Sequence, residues 1–394
     1  MGLKSVQYLL LTATVAVGCT SNGRMNDELP FIDVGKNYPE KELSITDFAD
    51  VTYVHLSAEN DDYLYKGRIQ YVTKNTLVVY DSASGSILFF SRDGTPKSRF
   101  NRLGQGAQDY LSSSTRISTR ILYDEDSDEV YVCSDVADCM QVYSSTGEYK
   151  RKVILPQYTK VFSIVSFDSQ SFFMFSENFH GFAFNGGELR DFIPYTTYYW
   201  ISKTDGEVLD SIKLVSNEIR LIIKKDDFVI KPTLERLSKG MDGYFLFNPE
   251  TDTVYLYKKD KSLSPVFCKK PLLRDQDPMV VFFNMGDASK YQFFTTFTLL
   301  DGIVNDNFRY YYRDKETGEV FRQKIILPDY MGKDFSFIGT GLSYEEENGA
   351  VIEMDLFQLK QAYDENRLSG KLKELVATLN ENEDNNVFMF VHFK

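Results

Sequence analysis

The sequence predicts an all-β protein, a six-bladed β-propeller, on three observations. A strand–turn–glycine unit recurs along the body, aromatics are abundant (31 Phe and 26 Tyr against one Trp), and the chain ends in an apolar, β-prone run. Aromatic and β-branched side chains suit a pleated, half-buried surface. With 394 residues, 43% of them hydrophobic, the chain can bury a large core and is not disordered. Its formal charge of −13 disfavours nucleic acid or an anionic membrane surface as a main partner.

At the N-terminus, Lys4 precedes an apolar run from Val6 to Val17, of signal-peptide length and too short to span a bilayer. The run closes on Ala16-Val17-Gly18-Cys19. Small residues before a cysteine resemble a bacterial lipobox, with Ala16 where such signals usually carry Leu. That resemblance implies cleavage after residue 18 and acylation of Cys19. Cleavage removes Lys4 alone among the charged residues, taking −13 to −14. Residues 1–18 then read as signal, 19–30 as a flexible tether and 31–394 as the propeller. The location implied is the cell envelope, with a lipid anchor in the outer membrane facing the periplasm or the surface. The competing reading is an ordinary secretory signal with an incidental cysteine. In an oxidising location Cys133 and Cys139 are a candidate disulfide across a hairpin; two reduced thiols on strands fit the spacing equally well.

The body then repeats one unit: an aromatic strand, a polar turn carrying Asp or Thr and Gly, another strand. It occurs at Phe90–Gly94, Tyr143–Glu148, Ser202–Glu207 and Arg313–Glu319, with Phe247–Asp252 as a glycine-free relative. Gly supplies positive φ and Asp or Asn caps the turn, so each copy reads as a hairpin. Intervals of 46 to 66 residues suit one four-stranded blade per copy. Five copies and a closing blade make six. The terminal run Val387–Phe393 would aggregate if left exposed, so it is expected to pair in the last blade, completed by an N-terminal strand. Before it, Leu368, Leu372, Leu375, Val376 and Leu379 share one helical face, and a shorter helix is expected over 354–366. Both are expected to cover a sheet edge.

The segment Arg99–Tyr110, containing Gly104-Gln105-Gly106-Ala107-Gln108-Asp109-Tyr110, resembles the G-x-G-P-x-E-Y element of bacterial six-bladed β-propeller lipoproteins, distant relatives of NHL-repeat propellers. Ala107 replaces the Pro and Asp109 the Glu. The stretch Leu43–Leu56 resembles that family's first strands, and the helix followed by Asn386-Val387 its ending. The resemblance implies an envelope lipoprotein with a propeller body and, for a largely uncharacterised family, no particular activity.

Candidate site residues are few. Gly104-x-Gly106 lacks the third glycine and following helix of a dinucleotide fingerprint and reads as a structural loop, with Arg102 and Asp109 as candidates at a channel mouth. Tyr198, Tyr199 and Trp200 in one aromatic cluster, and Tyr311 in another, are candidates for a sugar- or peptide-binding face; the competing reading packs their rings between blades. Of the three histidines (His55, His180, His392) only His180, near a turn, is a candidate, and no histidine-rich metal site or cofactor is expected. Carboxylate runs such as Asp124-Glu125-Asp126 read as solvated turns. No nucleophile–histidine–acid set stands out. The expectation is a non-enzymatic binding or scaffold protein for a glycan, peptide or envelope partner. Its rivals are a channel hydrolase or lyase, marked by a polar pocket with clustered carboxylates and a place for Ca²⁺, and a structural subunit of an outer-membrane complex.

Overall fold

Apolar runs between turn residues become strands, and their burial tells where each lies. In Thr76–Asp81 every residue is buried, whereas in Pro96–Phe100 alternate residues face solvent. The first is a middle strand of a blade covered on both faces, the second an outer strand. The computed structural model describes residues 29–59, 61–111, 119–133, 138–156, 159–178, 195–215, 223–225, 228–230, 237–248, 251–300, 303–304, 308–335, 349–381 and 383–394. The signal, Cys19 and most of the tether lie outside these residues, as does His180.

Among the described residues six blades can be followed, and in the first five the antiparallel strands run outward in chain order from the first. Blade 1 is Gly67–Val72, Thr76–Asp81, Ile87–Ser91 and Pro96–Phe100; blade 2 is Arg120–Asp124, Glu129–Cys133, Cys139–Tyr143 and Tyr149–Ile154. Blade 3 is Thr159–Ser166, Ser171–Asn178, Tyr195–Ser202 and Val208–Val215; blade 4 is Leu237–Lys239, Gly243–Leu246, Thr253–Lys258 and Leu263–Lys270. Blade 5 is Met279–Asp287, Tyr291–Leu300, Arg309–Asp314 and Val320–Ile326. First strands of neighbouring blades touch, as in blades 1 and 2 and in blades 4 and 5, which sets them on the inside of the ring. A short hairpin, Ile223–Lys225 with Phe228–Ile230, lies between blades 3 and 4.

Blade 6 closes the ring from both chain ends. Val387–Phe393 pairs on one side with Gly349–Met354 and on the other with the N-terminal strand β3 (Ala49–His55), from His55 opposite Val387 to Ala49 opposite Phe393. The expected completion by an N-terminal strand is therefore observed. Two earlier strands add something the sequence pattern did not reveal. β1 (Phe31–Asp33) runs parallel to the outer strand of blade 4, and β2 (Glu40–Ser44) parallel to that of blade 5. One segment thus covers the outer edges of blades 4 and 5 before completing a third blade.

The repeated turn has a role beyond reversing the chain. Gly94, Gly147, Gly206 and Gly318 all take positive φ, between 75° and 89°. At Gly94 and Gly206 a Cβ would also overlap a backbone carbonyl oxygen of the preceding blade's outer strand, that of His55 and of Ile154. Ile154 N–H donates to the Asp205 carbonyl at 3.2 Å in the same place. The turn is a docking point between blades. The glycine-free relative needs correction: Phe247–Asp252 joins the second and third strands of blade 4. Its counterpart of the repeated turn is Lys258–Ser262, where Lys261 takes φ 66° without a glycine.

Helices α1 (Leu356–Asp364) and α2 (Gly370–Ala377) stand in the chain between the blade 6 strands Gly349–Met354 and Val387–Phe393. The Asp355 carboxylate accepts from Gln358 N–H at 2.8 Å and starts α1. Leu359, Leu372 and Val376 pack into the cluster that holds Leu43 and Phe48. They pack on one face of blade 6, against Ile352, Met389 and Tyr53, rather than along the sheet edge expected from the sequence.

The candidate disulfide is not formed. Cys133 and Cys139 are free thiols. Cys133 sits opposite Met140, and adjacent strand residues point to opposite faces, so register turns the two thiols apart.

Candidate functional site

Strand reversal places the inner hairpin turn (first to second strand) and the outer hairpin turn (third to outer strand) of a blade at one end. At that end, over blades 2, 3 and 4, a cavity of about 840 Å³ opens, a size suited to a small organic ligand. Blade 2 contributes Asp124–Ser127, Glu129 and Arg151; blade 3 contributes Ser166–Gln170 and Ser202–Thr204; blade 4 contributes Lys239–Met241 and Lys259. Tyr71 reaches in from blade 1.

The charged walls are fixed by mutual pairing. Lys203 opens the outer turn of blade 3, has 7% of its side chain exposed, and places Nζ 3.0 Å from Asp124 Oδ2 across the blade boundary. Its ammonium also lies 5.3 Å from the centre of the Phe172 ring. Arg151 grips Glu129 with both terminal nitrogens, and Nη2 donates further to the Tyr131 hydroxyl at 3.2 Å and the Lys203 carbonyl at 3.0 Å. Tyr131 donates to Glu129 Oε2 at 2.5 Å. Glu125 faces blade 1 and accepts from Thr73, Thr76 and the Asn75 backbone. Such bidentate and charge-assisted bonds hold polar groups in one geometry.

Protonation follows from these contacts. Burial alone would raise the Asp124 carboxyl, but the Lys203 ammonium outweighs it and holds Asp124 below the ordinary carboxylate range. Glu129 is lowered, chiefly by the Arg151 guanidinium. Burial pushes Glu125 up, and the hydroxyls of Thr76 and Thr73 with Asn75 reverse it. Asp168 behaves alike: burial raises it, and bonds from Gln170 and Ser171 leave it lowered. The wall therefore presents carboxylates and cations together at neutral pH. Among the described residues no group of three or more His, Cys, Asp or Glu is placed to hold a metal ion.

The residues singled out from the sequence lie elsewhere. Tyr198 and Trp200 are 0% and 2% exposed, in a cluster between blades 3 and 4, where Phe173 stacks on Trp200 at 4.4 Å. Tyr199, on the opposite face of that strand, packs toward blade 2. Tyr311 is buried between blades 4 and 5 and stacks on Phe294 at 5.3 Å. These rings are blade packing, because alternate residues of a middle strand face alternate neighbours. They do not form a binding face. Yet Phe167 and Tyr244, which line the cavity, belong to the Trp200 cluster, so this core supports the cavity from behind.

Arg102 and Asp109 lie at the other end of the blades. The loop 101–110 is tied to the second-to-third-strand turn of blade 1: Asn101 Nδ2 donates to the Ser84 carbonyl at 2.9 Å and Tyr110 OH to the Gly85 carbonyl at 2.6 Å. Asp109 Oδ2 accepts from Gly106 N–H at 2.9 Å, and a side chain at Gly104 or Gly106 would collide with that carboxylate. Asp109 is a loop staple, and the glycines exist to let it fold inward. The cavity residues Asp124, Glu129, Arg151, Asp168 and Lys203 were missed. The visible signal was the carboxylate run at 124–126, in which Asp124 and Glu125 are engaged rather than solvated. The run opens at the end of an inner strand, where a turn faces the ring's mouth.

The fold and this wall define a six-bladed β-propeller with a polar, charge-paired cavity on its hairpin-turn end. Residues 20–348 match the sequence family described as 6-bladed beta-propeller, and the chain belongs to that family. A sequence comparison with curated proteins returns no match. Among solved structures, a protein from Bacteroides fragilis described as exported is similar, with 16% identity and TM-score 0.59, covering 90% of this chain and 98% of its own. A protein of a second uncharacterised family from Bacteroides vulgatus has 11% identity and TM-score 0.44, covering 88% of this chain and 96% of its own.

Proposed function

We propose that the chain is an exported, lipid-anchored propeller of the cell envelope that binds a polar ligand, a glycan or a peptide, in the cavity over blades 2 to 4. One observation carries the binding reading: charged side chains from adjoining blades are locked by mutual pairing around an open space of ligand size. Groups fixed before binding lose little further entropy on contact, which is how a polar site gains affinity. Export and anchoring are supported by the Ala16–Cys19 signal and by the exported description of the Bacteroides fragilis neighbour.

A soluble Cys19→Ser chain lacking residues 1–18, tested on glycan and peptide arrays, gives hits that Leu209→Trp abolishes. Leu209 is 55% exposed at the cavity, so an indole there fills the space while leaving the core intact. Hits that persist in Leu209→Trp contradict this site. Mass spectrometry of the mature N-terminus tests the anchor; an unmodified Cys19 contradicts it.

A further inference from the structure

The residue that follows the third strand is tied down in blades 1, 2, 3 and 5, by a charged side chain in three of them and by a backbone N–H in blade 2. The residue that closes the third strand is identified by its backbone bond across the outer turn: Ser91 to Thr95, Ser144 to Glu148, Ser202 to Glu207, Lys258 to Ser262 and Asp314 to Glu319. The next residue is Arg92, Ser145, Lys203, Lys259 or Lys315. In blade 1, Arg92 Nη1 donates to the Thr73 carbonyl at 2.8 Å. In blade 2, Ser145 N–H donates to Asp128 Oδ1 at 3.0 Å. In blade 3, Lys203 is paired with Asp124, and in blade 5 Lys315 Nζ is paired with Asp287 and donates to the Ala288 carbonyl at 2.6 Å.

Blade 4 breaks the pattern. Lys259 is exposed, has no hydrogen bond or ion pair among the described residues, and lines the cavity. On the blade 2 side, Asp126 is likewise exposed, unpaired among the described residues and lining the cavity, while its neighbours Asp124 and Glu125 are engaged. Among the described residues of the lining, Lys259 and Asp126 are thus an uncommitted cation and an uncommitted carboxylate on different blades. Between them blade 3 supplies the Ser166–Gln170 turn, whose Asp168 carboxylate already accepts from Gln170 and Ser171 and whose Ser169 and Gln170 are neutral. A neutral ligand covering both charges would strip water from each without replacing it, whereas a ligand with opposite charges at its ends restores a partner to both.

We infer that the ligand is zwitterionic: a short peptide with free ends, its carboxylate on Lys259 and its ammonium on Asp126. This rests on the cavity being the binding site. The test is calorimetry on the soluble Cys19→Ser chain with alanine peptides of two to five residues in free, N-acetylated and C-amidated forms, and with maltotetraose as a neutral probe. A free-ended peptide is expected to bind, and amidation to weaken it about tenfold, the scale of one charge-assisted contact. Lys259→Gln should weaken the free peptide by the same factor and leave the amidated one unchanged; Asp126→Asn should do so for the free against the acetylated peptide. Both side chains are exposed, so the variants keep the wild-type melting temperature. Equal weakening of free and capped peptides, or none, overturns the assignment of the ends. Binding of maltotetraose without any peptide overturns the ligand class and leaves the cavity reading standing; binding of neither probe overturns both.

Discussion

Lys203 and Asp124 meet ammonium to carboxylate at 3.0 Å across the boundary of blades 2 and 3, with Lys203 almost wholly buried. The pair forms the cavity wall and one of the joints of the ring. Removing Asp124 strands a buried ammonium, and removing Lys203 leaves a carboxylate that is 21% exposed at the cavity. Asp124→Asn should cost about 3–5 kcal/mol in urea unfolding, and Lys203→Met less, because the carboxylate it leaves is reached by water. The double variant Asp124→Leu/Lys203→Met should recover most of that loss. Additive losses in the double variant would mean that the two do not act as a pair.

The repeated turn separates two demands on glycine. Gly206→Ala and Gly94→Ala add a methyl against a carbonyl of the neighbouring blade as well as a positive-φ penalty. Gly318→Ala meets only the Arg313 side chain at 3.7 Å and carries the φ penalty alone. The expected cost is about 1 kcal/mol at Gly318 and clearly more at the other two, read from denaturation midpoints. Equal costs at all three positions would remove the docking role.

Stability should fall in acid, and the sign follows from the cavity wall. Asp124, Glu125 and Glu129 are all held below their ordinary values of 3.8 and 4.5. Their contribution is complete above those unfolded values and is lost as pH drops from about 4.5 through the depressed folded values. Asp287, raised by burial, works in the opposite direction and partly offsets them. Urea midpoints measured down the pH scale should slope gently below about 6.5, where burial lowers the His55 imidazole, and drop in the carboxylate window, with a shallower drop in Glu129→Gln.

Trp200, the single tryptophan, reports directly on the burial of the aromatic cluster. Acrylamide should quench its fluorescence weakly in the native protein and strongly in urea. Strong native quenching would return that cluster to the surface.

How much of this was legible in the sequence depended on the range of the signal. Turn glycines, the terminal strand and the helical face are local patterns, and they led to six blades and to closure by both chain ends. The parallel pairing of β1 and β2 was not legible, since Phe31 meets Cys268 only after the ring has formed. The site was misplaced for a related reason. Trp200 and Tyr198 advertise a binding face by composition, but a middle strand buries both of its faces. Arg151 and Lys203 look like ordinary surface residues until the fold brings Glu129 and Asp124 beside them. Lys259 stands out only after the five outer turns are compared one with another.

Everything proposed for the cavity depends on ligand binding over the hairpin turns of blades 2 to 4. Hydrogen–deuterium exchange of the soluble Cys19→Ser chain, with and without the tightest array hit, tests it most directly. The predicted result is slowed exchange within 124–129, 166–171 and 202–204. Protection confined to the loop 101–110, at the opposite end of the blades, would contradict it.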